Sequence, residues 1–303
     1  MKIQTAAELA GERPWLKVAI YGETGSGKTH WASMAPKPLV LLKEPQGLVT
    51  ILDVCPDAIV IPIANWKQFC SAWNAIKKAG QTTTEDGQPA SVITVDGVDH
   101  VYQTVVIDSF TDVQQMMIDG FDKGAKTMAL DITRMTQEQW GRITGLTRRI
   151  LDEQRALHAN VIFTMLAHDD NHNEKRPRVL PSISGKYKGS AGQFFNAFGH
   201  ATTRQRGDEI EHILKWKANK TFVTKPAPGW PDAMPSSITL GDLAIYSLGI
   251  GIAPHRPEDD GAKVHAIVEA FARKKEDAAA KAEADEAITT KAGSGKTEEE
   301  VFS

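Results

Sequence analysis

The feature that most constrains this chain is a glycine-rich segment near its start, Gly22-Glu23-Thr24-Gly25-Ser26-Gly27-Lys28-Thr29. An apolar run typical of a buried strand, WLKVAIY at 15–21, precedes it, and a helical pattern follows from Lys28 to about Met34. Glycines let backbone N–H groups approach phosphate oxygens closely, and the helix amino terminus adds partial positive charge. Strand, loop and helix in this order predict a phosphate-binding loop.

The loop also predicts which side chains meet a nucleotide. Lys28 is placed to reach the β- and γ-phosphates of ATP, and the Thr29 hydroxyl to ligate Mg²⁺. With His30, the predicted nucleotide-binding set is 22–30. A second short match, GSGKT at 293–297, follows no strand and precedes three glutamates, whose charge would repel a phosphate. We therefore predict a nucleotide site only at the first segment.

A later strand predicts the second half of the Mg²⁺ site. The apolar run TVVI at 104–107 ends at Asp108, and P-loop proteins hold Mg²⁺ through an acidic residue in such a position. The alternative is that Asp108 caps the next helix. Two or more strand-like runs, at 39–42 and 58–63, separate the two strands along the chain. This arrangement resembles the P-loop class of RecA and the AAA⁺ proteins rather than kinases and GTPases, in which the two strands are neighbours.

Two further residues are candidates for catalysis. Glu44 closes the run LVLLKE, where the RecA branch carries a glutamate that activates water, and the alternative is a solvated loop carboxylate. His168 closes the run VIFTMLAH, where the class places a sensor of the γ-phosphate, and the alternative is a loop histidine without a role.

The remaining patterns predict an α/β domain with a central, mostly parallel sheet flanked by helices. Asn65 is expected to cap a helix that begins at Trp66. Asp96-Gly97 lies between two β-type runs and predicts a β-hairpin insertion, which follows a loop-like stretch at 80–91. We assign 1–272 to this domain and 273–303, which is rich in alanine and charged residues, to a flexible tail.

Composition excludes several classes of protein. Cys55 and Cys70 lack metal-site spacing and are too few for a disulfide scaffold. The first residues lack the apolar segment of a secretory signal, and no apolar run approaches the roughly 18 residues that span a bilayer. We therefore expect a cytoplasmic protein. The net charge of −3 favours no nucleic-acid partner, so any DNA site must be a local patch.

Five segments in a fixed order carry a family resemblance: YGETGSGKT, LVLLKE, VVIDS, VIFTMLAH and RPRVLPSISGK. Together, over roughly 15–225, they resemble the small phage recombination ATPases with a RecA-like core that are called the Sak-four type. The resemblance implies ATP-dependent binding and annealing of single-stranded DNA. It also implies a homo-oligomer with ATP between subunits, and leaves open a single-strand-binding protein as a partner. One departure is that the family has Asp-x-Glu where this chain has Leu42-Lys43-Glu44.

The stretch 174–188 is the strongest candidate for DNA contact, because five basic residues and one acid, Glu174, give it a net charge of +4. It follows the expected sensor strand, as the DNA loops of RecA-like proteins do, and its aromatic residue offers a face to a base. A solvated loop is the alternative. The predicted contacts are Lys175, Arg176, Arg178, Lys186, Tyr187 and Lys188.

Other interpretations stay open on sequence alone. Lys215, Lys217 and Lys220 resemble lysines that bacterial RecA proteins extend toward a neighbour's ATP, or they belong to an ordinary exposed strand. A small-molecule or nucleotide kinase would need lid arginines, for which 142–155 is the candidate segment. A helicase loader or nucleotide-gated adaptor would bind ATP and a protein partner.

Overall fold

The structure is a computed structural model that describes residues 15–122, 135–170, 178–228 and 230–246. The predicted tail at 273–303 lies outside these residues, and the domain boundary at 272 stays a prediction. In the described part of the chain, no helix combines the length and the apolar character that crossing a membrane requires.

The described residues form twelve strands and six α-helices. The strands are β1 (Lys17–Gly22), β2 (Pro38–Leu42), β3 (Ile59–Pro62), β4 (Gly80–Thr83), β5 (Pro89–Val95), β6 (Val98–Tyr102), β7 (Thr104–Asp108), β8 (Asn160–Asp170), β9 (Arg178–Pro181), β10 (Ala197–Arg206), β11 (Glu209–Lys215) and β12 (Ala233–Pro235). The helices are α1 (Lys28–Ser33), α2 (Gly47–Val54), α3 (Trp66–Lys77), α4 (Phe110–Asp122), α5 (Gln137–Glu153) and α6 (Leu240–Tyr246). Short 3-10 turns cover Gln154–Ala156 and Ala191–Phe194.

The main sheet has the order β12-β11-β10-β1-β8-β7-β2-β3, and β9 pairs with β8 outside this path. The six strands from β10 to β3 run parallel, whereas β11, β12 and β9 pair antiparallel with their neighbours. The predicted fold, a mostly parallel sheet flanked by helices, is confirmed. β8 lies between β1 and β7, so the strand of the glycine-rich loop and the strand of Asp108 are not neighbours.

Helices cover both faces of the sheet, which explains why its central strands are continuous apolar runs. On one face, Phe163 of β8 packs against Phe110 of α4 with ring centroids 4.8 Å apart. On the other face, Trp31 of α1 lies 6.0 Å from Trp216 and donates its indole N–H to the Ile238 carbonyl at 2.8 Å. Trp31 is fully buried, so α1 and the loop before it are fixed to the core.

Side-chain caps set the starts of α3 and α5. The Asn65 side chain accepts a hydrogen bond from the Gln68 N–H at 3.1 Å, which confirms the predicted cap. Thr136 and Gln139 form a reciprocal capping box at the start of α5.

The insertion is larger than the predicted hairpin. Asp96 and Gly97 have φ values of 51° and 78° and form the expected turn between β5 and β6. The prediction of a loop at 80–91 was wrong, because β4 pairs antiparallel with β5 and completes a separate three-stranded sheet. β4 is an edge strand with three exposed residues out of four, so its sequence (GQTT) lacks the apolar alternation that indicates a half-buried strand.

Candidate nucleotide-binding site

A cleft of about 320 Å³ opens at the carboxyl ends of the parallel strands, where ligands bind in open α/β sheets. Glu44 and Asp108, predicted from separate segments, both line it. The predicted 22–30 set contributes six lining residues, namely Thr24, Gly25, Gly27, Lys28, Thr29 and His30. The structure therefore brings together the loop and the two acidic residues.

Glycine is required at specific points of the loop. Gly25 and Gly27 have φ values of +80° and +85°, which other residues rarely adopt. A Cβ on Gly22 would lie 2.2 Å from the Ala201 carbonyl oxygen of β10, and one on Gly27 would lie 3.0 Å from Nδ1 of His212. The loop is thus packed against β10 and β11 as tightly as a backbone without side chains allows.

The Lys28 ammonium is held inside the loop. Its Nζ donates to the carbonyl oxygens of Gly22 at 3.0 Å and Glu23 at 2.6 Å, and to the Ser26 hydroxyl at 3.3 Å. The residue is 8% exposed, and burial lowers the pKa of Lys28, with Asp108, Glu23 and Glu44 opposing the shift. An anion in the cleft would therefore stabilise the charged form of this buried amine.

Asp108 is the hub of the site. The Thr29 hydroxyl donates to its Oδ2 at 2.7 Å, and the Thr164 hydroxyl donates to its Oδ1. The helix-cap alternative does not hold, because Ser109 fills that position and its Oγ accepts from the Asp112 N–H at 3.3 Å. A hydroxyl and a carboxylate are the hard oxygen ligands that Mg²⁺ prefers, so Thr29 and Asp108 fit this metal.

Thr164 was missed by the sequence analysis. It lies in the middle of the predicted strand of β8 and is fully buried. Only the order of the strands, with β8 between β1 and β7, shows that its hydroxyl reaches Asp108. Gly47 and Thr50 of α2 also line the cleft and were not predicted.

Glu44 lies two residues beyond the end of β2 and lines the cleft with an exposed side chain. Its charge is one of three that oppose the lowering of the Lys28 pKa. The α2 helix begins three residues later, and a Cβ on its first residue, Gly47, would lie 3.8 Å from the Asp108 Oδ2. Glu44 is thus a carboxylate at the rim of the cleft, opposite the glycine-rich loop.

The prediction that His168 ends its strand was wrong. β8 continues to Asp170, and His168 pairs with Leu180 of β9. The side chain is exposed and does not line the cleft, whereas Leu166 does. The extension was not visible in the sequence because β9, the strand that pairs with it, follows a polar stretch.

The predicted DNA contacts that the structure describes lie in β9 and in the turns that follow it. Arg178 begins β9 and is exposed, and Lys186 is exposed in the turns that follow. Lys188 is half-buried. Lys175 and Arg176 lie outside the described residues.

Tyr187 is not a stacking platform in this structure. It is only 3% exposed and packs edge-on against Phe194, with ring centroids 5.7 Å apart. A ring buried in the core offers no face to a base, so the predicted role of Tyr187 was wrong.

The arginines of α5 give no support to a kinase lid. They lie on an exposed face of the helix and pair with its own acids, and none of them lines the cleft. The pairs are Arg142 with Glu138, Arg148 with Asp152, and Arg149 with Glu153.

Among solved structures, the chain is similar to the RadB recombinase, with 13% identity over 74% of this chain and 87% of that chain and a TM-score of 0.41. It is also similar to the flagellar accessory protein FlaH from Methanocaldococcus jannaschii, with 10% identity over 77% and 92% and a TM-score of 0.38. A KaiC-like protein from Pyrococcus horikoshii OT3 matches with 12% identity over 66% and 77% and a TM-score of 0.33. Likenesses this distant say nothing about activity.

Comparison with curated protein sequences finds no match. In contrast, the family AAA_24, described as an AAA domain, matches residues 15–226, which is most of the chain and includes every lining residue of the cleft. The chain therefore belongs to the AAA_24 family of AAA domains and is a P-loop ATPase.

Proposed function

We propose that this ATPase acts on single-stranded DNA in recombination or annealing of the phage type, with ATP turnover coupled to DNA binding. The observation that carries the proposal is the course of β8. This strand supplies Leu166 to the wall of the cleft and then continues to pair with β9, where the described part of the basic segment begins at Arg178. A ligand on that segment and a nucleotide in the cleft would thus both lie next to the β-strand β8.

The proposed chemistry assigns a task to each residue of the cleft. Bound Mg²⁺ would neutralise charge on the β- and γ-phosphate oxygens, held by Thr29 and by Asp108. Lys28 would leave the Gly22 and Glu23 carbonyls and donate to the γ-phosphate. Glu44, at the rim, would orient and deprotonate the attacking water. Thr164 holds the Asp108 carboxylate in place.

We also propose that the protein works in the cytoplasm as a homo-oligomer with ATP near the interface, where it would meet DNA coated by a single-strand-binding protein. Support for the oligomer comes from α2, which contributes Thr50 to the cleft and exposes three apolar side chains next to it. Val49 is the most exposed of them, at 73%. An apolar surface beside the cleft suits a second copy that completes the site. The three residues are Leu48, Val49 and Leu52.

The central test is ATP hydrolysis with and without a single-stranded oligonucleotide. We expect DNA to raise the turnover of the wild type, and Lys28→Ala to abolish turnover because the phosphates lose their only buried cation in the loop. Lys186→Gln/Lys188→Gln should keep basal turnover and lose the response to DNA. The matched control, Arg142→Gln/Arg148→Gln, removes two exposed cations from α5 and should behave as the wild type.

Turnover that depends on Lys28 but ignores DNA would contradict the DNA function while leaving the ATPase intact. A helicase loader or nucleotide-gated adaptor would then be the better assignment. A DNA response that survives in the Lys186→Gln/Lys188→Gln variant would remove these two lysines from the DNA contact.

A second prediction concerns the water-activating group. Glu44→Gln keeps the shape of the side chain and removes its basicity, so we expect kcat to fall by about 10²–10⁴-fold while the Kd for ATP changes little. Asp53→Asn, which removes an exposed carboxylate from α2 outside the cleft, is the control. Turnover within twofold of the wild type in Glu44→Gln would show that another group activates the water.

A third prediction concerns the residue that orients Asp108. Thr164→Val is close in volume and removes only the hydroxyl that donates to Asp108. We expect the affinity for Mg²⁺ in nucleotide binding to fall about 10–100-fold. The measurement is a titration of Mg²⁺ in the presence of a fluorescent ATP analogue. Binding of the analogue without Mg²⁺ should be unchanged.

The control is Thr147→Val, which removes an equally buried hydroxyl that accepts from the Gln114 side chain at 3.0 Å, in contact with α4 and away from the cleft. It should cost stability without altering the Mg²⁺ titration. Identical Mg²⁺ curves for both variants would contradict the assignment of Thr164 to the site.

A further inference from the structure

Two basic segments that are distant in sequence meet beside β1. The first begins at Arg178, and neither it (178–188) nor the second (215–225) contains an acid. The Val179 N–H donates to the Thr221 carbonyl at 2.9 Å, and Val179 forms a parallel bridge with Phe222. Arg178 and the Lys220 region therefore form one surface, which the separate motifs did not reveal.

Phe222 provides a partly exposed aromatic ring on this surface. The His200 ring stacks on it with centroids 4.1 Å apart and an interplanar angle of 21°, and the Lys215 ammonium lies 4.9 Å from its centroid. Burial, assisted by Lys215 and Lys28, lowers the pKa of His200 to about 4, so its imidazole is neutral near pH 7. Phe222 thus stacks on the neutral ring of the buried His200, and the Lys215 ammonium lies over the Phe222 ring.

The Tyr21 hydroxyl ties both segments to the strand of the phosphate loop. It donates to the Val179 carbonyl at 3.2 Å and accepts from the Val223 N–H at 3.0 Å. The ring is fully buried between Phe198 and His200. Tyr21 directly precedes Gly22, whose carbonyl accepts from the Lys28 ammonium. A displacement of either segment would therefore move Tyr21 and, with it, Gly22 at the start of the loop.

The acids near this surface limit which cations we assign. Asp169 and Asp170 face β9 from β8, and Lys217 pairs with Asp232 at 2.6 Å. Arg178 and Lys220 are exposed, one on each segment. Arg178 directly precedes Val179 and Lys220 lies two residues before Phe222, so two cations and an aromatic ring, the groups that bind single strands, lie near one bridge.

We propose that Arg178, Lys220 and Phe222 bind single-stranded DNA, the cations on phosphates and the ring on a base, and that Tyr21 couples this surface to the phosphate loop. This inference rests on the proposed function and supplies the aromatic contact that the buried Tyr187 does not. Tyr21 acts as a positioning residue, since it touches neither ligand.

The test is binding of a fluorescent oligo-dT strand in the presence of Mg²⁺ and ATP over a series of salt concentrations. Arg178→Gln/Lys220→Gln should reduce the slope of log K against log salt by about 1.4, because each phosphate contact on a single strand contributes about 0.7. Phe222→Leu keeps an apolar contact with His200 and should bind about tenfold more weakly with an unchanged slope. Arg142→Gln/Arg148→Gln is the charge-matched control.

The coupling is tested with Tyr21→Phe, which keeps the buried ring and removes both hydrogen bonds. We expect its Kd for ATP and its turnover without DNA to stay within about twofold of the wild type, because no atom of Tyr21 lines the cleft. Its stimulation by DNA should be lost. Stimulation equal to that of the wild type would overturn the coupling.

The outcomes separate this inference from the proposed function. If the wild type binds oligo-dT but Arg178→Gln/Lys220→Gln matches its charge control, the surface is not the DNA site and the DNA function stands. If the wild type itself does not bind oligo-dT, both fall.

Discussion

The hydrogen bonds on the Asp108 carboxylate are the interaction on which the rest of the site depends. One oxygen accepts from Thr29 at the end of the phosphate loop, and the other accepts from Thr164 on β8. Because β8 lies between β1 and β7, these bonds fix the loop, the acidic strand and the strand between them in one arrangement. Lys28 is buried in the same loop, where its ammonium donates to main-chain carbonyls, and it can bind an anion that enters the cleft.

The parts that sequence predicted are those governed by local chemistry. The conformation of a glycine-rich turn between a strand and a helix depends on its own φ values and not on distant residues. Gly25, Gly27 and Lys28 therefore lie in the predicted loop and line the cleft. Asp108 likewise ends an apolar strand. Thr164 and His168 could not be interpreted correctly from the sequence, because both depend on how strands pair. Thr164 reaches Asp108 because β8 lies beside β7, and His168 lies inside β8 because this strand pairs with β9.

The basic residues also show what sequence alone does not reveal. Charge along 174–188 is visible in the sequence, but burial is not, and Tyr187 turned out to be a core residue. The ring that the surface does present, Phe222, lies in a segment whose lysines had a different interpretation. The bridge between Val179 and Phe222 joins the two segments, and the Tyr21 hydroxyl ties both of them to the strand that precedes the phosphate loop.

The most direct measurement of the central claim is a crystal structure with Mg²⁺ and a non-hydrolysable ATP analogue. We expect the Lys28 ammonium to leave the Gly22 and Glu23 carbonyls for the β- and γ-phosphates. We also expect Mg²⁺ to be held by Thr29 and Asp108, with the Thr164 hydroxyl still donating to the Asp108 carboxylate. A nucleotide bound elsewhere, or Lys28 unmoved on its carbonyls beside a bound nucleotide, would contradict this claim.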